Sequence, residues 1–251
     1  MKALVTRPRE DAQALARALA ARGIEAVLEP LLTIRPKPGV ASLLAKELGG
    51  VQALLFTSAN GARVFAAACT ERKLPVFTVG DATSQAAKAA GFVHVESAQG
   101  DVAALARLAA ARLKPGDGPL LHPASSDVAG DLAGALAKAG FNLRRAAIYE
   151  SIPADALSAE AAALIKRGEI DAALFFSPRT AGCFVRLAAK AGLTDSLGRT
   201  VAFALSAEVA RALRDMAWRR IAVAEAPTED SLLASLDRAM PGGHKERKAF
   251  S

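Results

Sequence analysis

Residues 51–66, Val-Gln-Ala-Leu-Leu-Phe-Thr-Ser-Ala-Asn-Gly-Ala-Arg-Val-Phe-Ala, decide how this chain folds. The apolar run Ala53–Phe56 is short and unbroken, as in a strand covered on both faces of a parallel sheet. It ends at Thr57-Ser58, after which Ala62, Phe65 and Ala66 fall at helical spacing. This is a βα unit with a hydroxyl-rich turn. The same pattern returns at 171–185, Asp-Ala-Ala-Leu-Phe-Phe-Ser-Pro-Arg-Thr-Ala-Gly-Cys-Phe-Val. Phe56, Ser58 and Phe65 stand opposite Phe175, Ser177 and Phe184 at one shared offset. Ser177-Pro178 supplies a side-chain acceptor at the N-cap and a proline at the first helical position.

Working outward, residues 76–87 resemble 200–212. Gly100-Asp101 with Ala104-Leu105 resembles Glu229-Asp230 with Leu232-Leu233. The opening Ala-Leu-Val-Thr-Arg-Pro, with its helix ending in Ala-Arg-Gly-Ile, resembles Pro-Leu-Leu-His-Pro with its helix ending in Lys-Ala-Gly-Phe. The chain therefore reads as a degenerate duplication of α/β halves, and a period this long predicts paired domains rather than a solenoid.

Two proline-marked connectors divide it. One is Glu29-Pro-Leu-Leu-Thr-Ile-Arg-Pro-Lys-Pro-Gly39, with a crossing near Arg35; the other is Ser151-Ile152-Pro153. The expected domains are 1–34 plus 152–251, discontinuous, and 37–149. Strands are predicted near 3–6, 24–28, 52–57, 76–79, 92–95, 119–122, 141–149, 171–176, 200–204 and 220–223. Two linkers side by side would form a hinge, with the interdomain cleft as the ligand site. Residues 241–251 are polar and basic and are expected to be disordered.

With 251 residues and 52% apolar content the chain can bury two cores, although aromatics are only 5%, so Ala, Leu and Val must do the packing. The formal net charge of +7 points to acidic partners. The basic residues are spread along the chain without interleaved aromatics, which argues against nucleic acid. No apolar run approaches the roughly 20 residues of a membrane span, and Lys2 leads directly into a strand rather than a signal peptide. Cys69 and Cys183 lack partner spacing and are expected as buried, reduced thiols of a cytoplasmic protein. A monomer is expected.

The ordered set of Leu-Val-Thr-Arg-Pro, Leu-Leu-Phe-Thr-Ser-Ala-Asn-Gly-Ala, Val-Gly-Asp-Ala-Thr, the helix–Gly–strand ending Ile-Tyr-Glu, and Thr-Glu-Asp-Ser-Leu-Leu-Ala-Ser-Leu resembles the uroporphyrinogen-III synthase family. The resemblance covers almost the whole chain. It implies two Rossmann- or flavodoxin-like parallel-sheet α/β domains, the first discontinuous, joined by a two-stranded linker. It also implies hydroxymethylbilane, a linear tetrapyrrole with eight carboxylates, as substrate. The terminal hydroxyl leaves as water, the last ring inverts through azafulvene and spiro intermediates, and the macrocycle closes. Neither a metal nor an organic cofactor is implied. Two turns depart from the family pattern. Ala204-Leu205-Ser206-Ala207 stands for Gly-Pro-Thr-Thr, and Pro123-Ala124-Ser125-Ser126 stands where glycines are frequent.

No catalytic signature stands out among three scattered histidines, with no carboxylate pair and no phosphate loop. That suits a reaction in which the substrate's pyrrole nitrogen expels the hydroxyl and the enzyme holds one geometry, a contribution of up to ~7–11 kcal/mol. Helix N-termini offer free N–H groups and partial positive charge to carboxylates. Thr57, Ser58, Asn60, Thr83, Ser177 and Ser206 lie at such starts, where they either cap helices or bind substrate. Arg7 and Arg179, after matching strands, are candidate carboxylate partners or solvated surface residues. His122 ends a strand. Tyr149, the only tyrosine, lies where the family carries one near the returning linker. It is either a donor to the departing hydroxyl or a boundary residue. The competing function is a two-domain ligand-binding sensor module without catalysis.

Overall fold

A computed structural model describes residues 1–127 and 130–240. The expected disorder of 241–251 falls outside these residues. The chain divides into two compact units, Met1–Thr33 with Ile152 onward, and Ile34–Ser151.

The first unit contains β1 (Lys2–Val5), α1 (Arg9–Ala20), β2 (Glu25–Leu28), α7 (Ala159–Lys166), β9 (Ala172–Phe175), α8 (Pro178–Lys190), β10 (Val201–Ala204), α9 (Ala207–Ala212), β11 (Arg220–Val223) and α10 (Glu229–Ala239). The second contains α2 (Val40–Glu47), β4 (Ala53–Phe56), α3 (Ala59–Ala68), β5 (Val76–Thr78), α4 (Asp81–Ala89), β6 (Val95–Ser97), α5 (Val102–Arg112), β7 (Leu120–Ser125) and α6 (Leu132–Lys138). Strands β3 (Leu32–Pro36) and β8 (Leu143–Pro153) carry the chain across the division.

The first sheet runs β11-β10-β9-β1-β2, with parallel pairing throughout. The second runs β3-β8-β7-β4-β5-β6, and its pairs from β8 to β6 are parallel. Counted in chain order within its own unit, the first sheet is wound 2-1-3-4-5, the flavodoxin order. The second without β3 is wound 3-2-1-4-5 in the Rossmann manner once its strands are counted from β4 outward. The two orders become one when β9-β10-β11 is laid on β4-β5-β6 and β1-β2 on β7-β8. These are the pairs of segments that resemble each other in sequence, so the halves are related by a circular permutation.

Alternation explains the layers. In β4, Ala53 and Leu55 join one core with Leu105 and Leu136, while Leu54 and Phe56 join the opposite one with Phe65 and Phe92. In β9, Ala172 and Leu174 pack with Leu15 and Leu232, and Ala173 and Phe175 with Phe184 and Leu187. Successive side chains point to opposite faces, and helices cover both. The repeated aromatic pair is edge-to-face in each unit. Phe56–Phe65 ring centroids are 5.9 Å apart and Phe175–Phe184 5.3 Å, an arrangement worth about 0.5–1.5 kcal/mol beyond area burial. Trp218 stacks on Phe184 at 5.7 Å and donates its Nε1–H to Leu213 O, so it is a packing residue.

The proline connectors are strands, as the two-stranded linker implied, because Pro36 and Pro153 sit at the ends of β3 and β8, where the missing N–H removes little from the ladder. Some local expectations shift. β6 begins at Val95 rather than 92. Phe92 N–H still returns to Ala87 O, and Gly91 at φ 92° completes the end of α4, so the chain cannot extend earlier. Cys183 is buried, but Cys69 is only half-buried, since it ends α3 where the helix leaves its core.

Candidate active site

In an open doubly wound sheet, ligands bind outside the carboxyl ends of the strands, where the winding reverses. In the second unit the chain leaves β4 toward β5 and β6, then returns on the other side through β7. The reversal lies between β4 and β7. In the first unit it lies between β1 and β9.

At the β4/β7 reversal, Thr57 Oγ1 and His122 Nε2 are 2.9 Å apart. His122 is one step beyond the Leu54–Leu121 pair, a register that the other unit fills with Val5 beside Leu174. An imidazole thus occupies an aliphatic position. Burial, and then the Arg145 charge, depress its pKa from 6.5 to about 4, so it is neutral at pH 7. Arg145 donates from Nη2 to the carbonyls of Ser125 and Ser126, pinning the end of β7 next to a bulge at Ala124/Ser125. Ser125 Oγ is buried without a hydrogen-bond partner among the described residues.

Ser58 caps α3 by accepting from Asn60 N–H at 3.1 Å, and Asn60 Oδ1 accepts from Arg63 at 2.9 Å. α3 starts unusually close to β7, since a Cβ on Gly61 would lie 2.8 Å from Pro123 O. Thr83 is buried at the third position of α4, whose N-cap is Gly80 with no side-chain bond. Tyr149, at 4% exposure, belongs to the apolar cluster containing Val40, Leu44 and Ile148.

At the β1/β9 reversal, Thr6 Oγ1 donates to Leu174 O at 2.8 Å. Ser177 caps α8, accepting from Thr180 N–H, and its hydroxyl meets Thr180 Oγ1 at 2.8 Å. Arg7 lies over the Phe176 ring at 3.9 Å and donates to Glu229 at the start of α10. Arg179 is exposed in the first turn of α8. Ser206 caps α9 through Val209 N–H, one strand away from the reversal.

The structure thus brings Thr57, Ser58 and Asn60 to one reversal and Arg7, Ser177 and Arg179 to the other. Thr83 and Ser206 sit one strand out, and Tyr149 sits in a core. Sequence reasoning missed Thr180, Phe176, Glu229 and Ser125. Thr180 was recoverable from its three-residue spacing to the cap, whereas nothing local ties residue 229 to residue 7. Capping and binding are compatible here. A serine hydroxyl that accepts from the helix N–H still has its own O–H to donate, and at Ser177 the hydroxyl pair with Thr180 leaves one O–H between the two for a carboxylate.

Among the described residues, no cluster of three or more His, Cys, Asp or Glu could hold a metal ion. Likewise, no helix among them is long and apolar enough to cross a membrane.

Paired doubly wound α/β units, with hydroxyl-capped helix starts at both winding reversals, define a two-unit parallel-sheet α/β protein. The chain belongs to the uroporphyrinogen-III synthase family, whose model, described as Uroporphyrinogen-III synthase HemD, matches residues 13–234. Solved structures of similar fold include a mutant uroporphyrinogen III synthase from the extremely thermophilic bacterium Thermus thermophilus. It is 21% identical, the match covers 96% of this chain and 99% of that one, and the TM-score is 0.56. Another is uroporphyrinogen-III synthetase from Helicobacter pylori, 14% identical over 95% and 99%, with a TM-score of 0.64. No curated protein sequence matches the chain.

Proposed function

We infer that this chain is a uroporphyrinogen-III synthase. It cyclises hydroxymethylbilane with loss of water and inversion of ring D, in tetrapyrrole and haem biosynthesis. The observation that carries this is the family match over residues 13–234. The sensor-module alternative has no comparable support.

The chemistry asks the protein chiefly for positioning. Loss of the hydroxyl is driven by the pyrrole nitrogen, and the protein must hold a flexible chain of four rings so that the inverted closure outruns the simple one. Carboxylates are the handles. We assign them to the helix starts and cationic groups at the winding reversals: Thr57, Ser58, Asn60, Ser177, Arg7 and Arg179, with Thr83 and Ser206 as outer contacts. Each helix start offers N–H groups and partial positive charge without any rearrangement. Tyr149 is assigned as the hydrogen-bond donor to the departing hydroxyl. We propose two domains, 1–34 plus 152–251 and 37–149, acting as a cytoplasmic monomer that binds no nucleic acid.

The test is incubation with hydroxymethylbilane, oxidation of the product and separation of the isomers. Isomer III above the spontaneous background is expected. Isomer I alone would overturn the assignment.

A further inference from the structure

Arg7 and Glu229 lie 222 positions apart in sequence, yet they pair at the carboxyl edge of the first sheet. Phe176 holds the guanidinium from below, 3.9 Å from the ring centroid. A guanidinium stacked in this way keeps its N–H edge aligned for a planar acceptor. Among the described residues its one hydrogen bond runs from Nη1 to Glu229 Oε2, although the fork suits two parallel bonds to one carboxylate. The side chains are 18% and 34% exposed, so the pair is only partly withdrawn from water and an incoming carboxylate can reach it. Glu229 is not needed as a cap either, because Thr228 already closes α10 by accepting from Ser231 N–H.

We propose that Arg7 is a carboxylate subsite kept occupied by Glu229, an internal carboxylate that the substrate must displace. The proposal rests on the reading of the substrate as a tetrapyrrole polycarboxylate. Glu229 sets a threshold. A lone carboxylate competes with it poorly, whereas one carboxylate of a molecule already held by its others arrives at high effective concentration. The pair therefore selects polycarboxylates over simple acids.

The experiment compares wild type with Glu229→Gln, Arg7→Met and the double variant, each checked by circular dichroism. Glu229→Gln should lower KM for hydroxymethylbilane by about threefold to tenfold, and Arg7→Met should raise it by about tenfold or more. In the Arg7→Met background the Glu229 change should have no effect. Glu229→Asp keeps the helix-start charge but shortens the reach, and it should shift KM in the same direction as Glu229→Gln should the latter fold poorly. A parallel calorimetric titration uses acetate and butane-1,2,3,4-tetracarboxylate as probes. The Glu229→Gln variant should gain affinity for both, with the larger relative gain for acetate. A wild type that forms no isomer III would refute the synthase reading and leave the titration to judge the subsite. Unchanged or higher KM in Glu229→Gln, with unchanged titrations, would reduce Arg7–Glu229 to a structural ion pair.

Discussion

Thr57 Oγ1 meets His122 Nε2 at 2.9 Å where the winding of the second sheet reverses, and the imidazole fills a register that the other half gives to Val5. The unfolded chain holds His122 at its ordinary pKa of 6.5, while burial lowers the folded value to about 4. Between those values the unfolded chain binds the proton and the folded chain does not. Stability therefore rises with pH through this window, is complete above about pH 7, and is lost on acidification, by about 3 kcal/mol in all. Urea unfolding from pH 4 to 8 should show this slope, and His122→Asn should flatten it. An identical slope in the variant would assign acid sensitivity elsewhere.

Ser58, Ser177 and Ser206 each accept a backbone N–H at a helix start. Replacing any one by Ala should cost about 1 kcal/mol of stability. For Ser58 and Ser177, at the reversals, KM should also rise by about twofold to tenfold, because a hydroxyl able to donate to substrate, shared at Ser177 with Thr180 Oγ1, is lost while main-chain donors remain. Ser206→Ala, one strand away, should shift KM less. Equal KM values across the three would mean that the serines cap and do nothing else.

Tyr149→Phe keeps the ring and removes the phenol donor. General-acid assistance is worth ~10²–10⁴-fold, and with the pyrrole already driving departure the loss in kcat should be about tenfold to a few hundredfold. The side chain is buried at 4% exposure, so about 1 kcal/mol of stability should go as well. A variant within twofold of wild-type kcat would leave Tyr149 a core residue and assign catalysis to positioning.

Arg72 is structural. Its guanidinium donates to the carbonyls of Ala66, Cys69, Glu71 and Ala90 at 2.7–2.8 Å and lies 4.9 Å from the Phe92 ring centroid. It ties the ends of α3 and α4 to the loop between α3 and β5. Arg72→Ala should cost about 2–4 kcal/mol by urea unfolding, and Arg72→Lys should recover less than half, since an ammonium cannot reproduce the fork. Turnover per folded molecule should be unchanged.

Salt tests electrostatic capture. Exposed charges are screened over roughly 8 Å at physiological ionic strength. KM should rise as salt increases from about 50 to about 500 mM while kcat holds, because binding and not chemistry uses those charges. A flat KM would refute electrostatic capture of the polycarboxylate.

Most strands, the hydroxyl-rich turns and the internal echo were legible in the order of the residues, although β6 starts later than its apolar run suggests. Periodicity of two or 3.6 residues and cap residues such as Ser58 and Ser177 are local signals, and where they agree with the fold around them they can be read directly. The paired aromatics at 56/65 and 175/184 were legible for the same reason. The permuted winding emerges in three dimensions alone, because strand order depends on which edges meet and not on what each strand contains. The fold alone placed Thr57 on His122 and Arg7 on Glu229, partners separated by 65 and 222 positions. It also packed Tyr149 into a core, where the sequence left it as either a donor to the departing hydroxyl or a boundary residue. Side-chain partners at such distances are selected by packing of the whole unit, and no window of sequence contains that information.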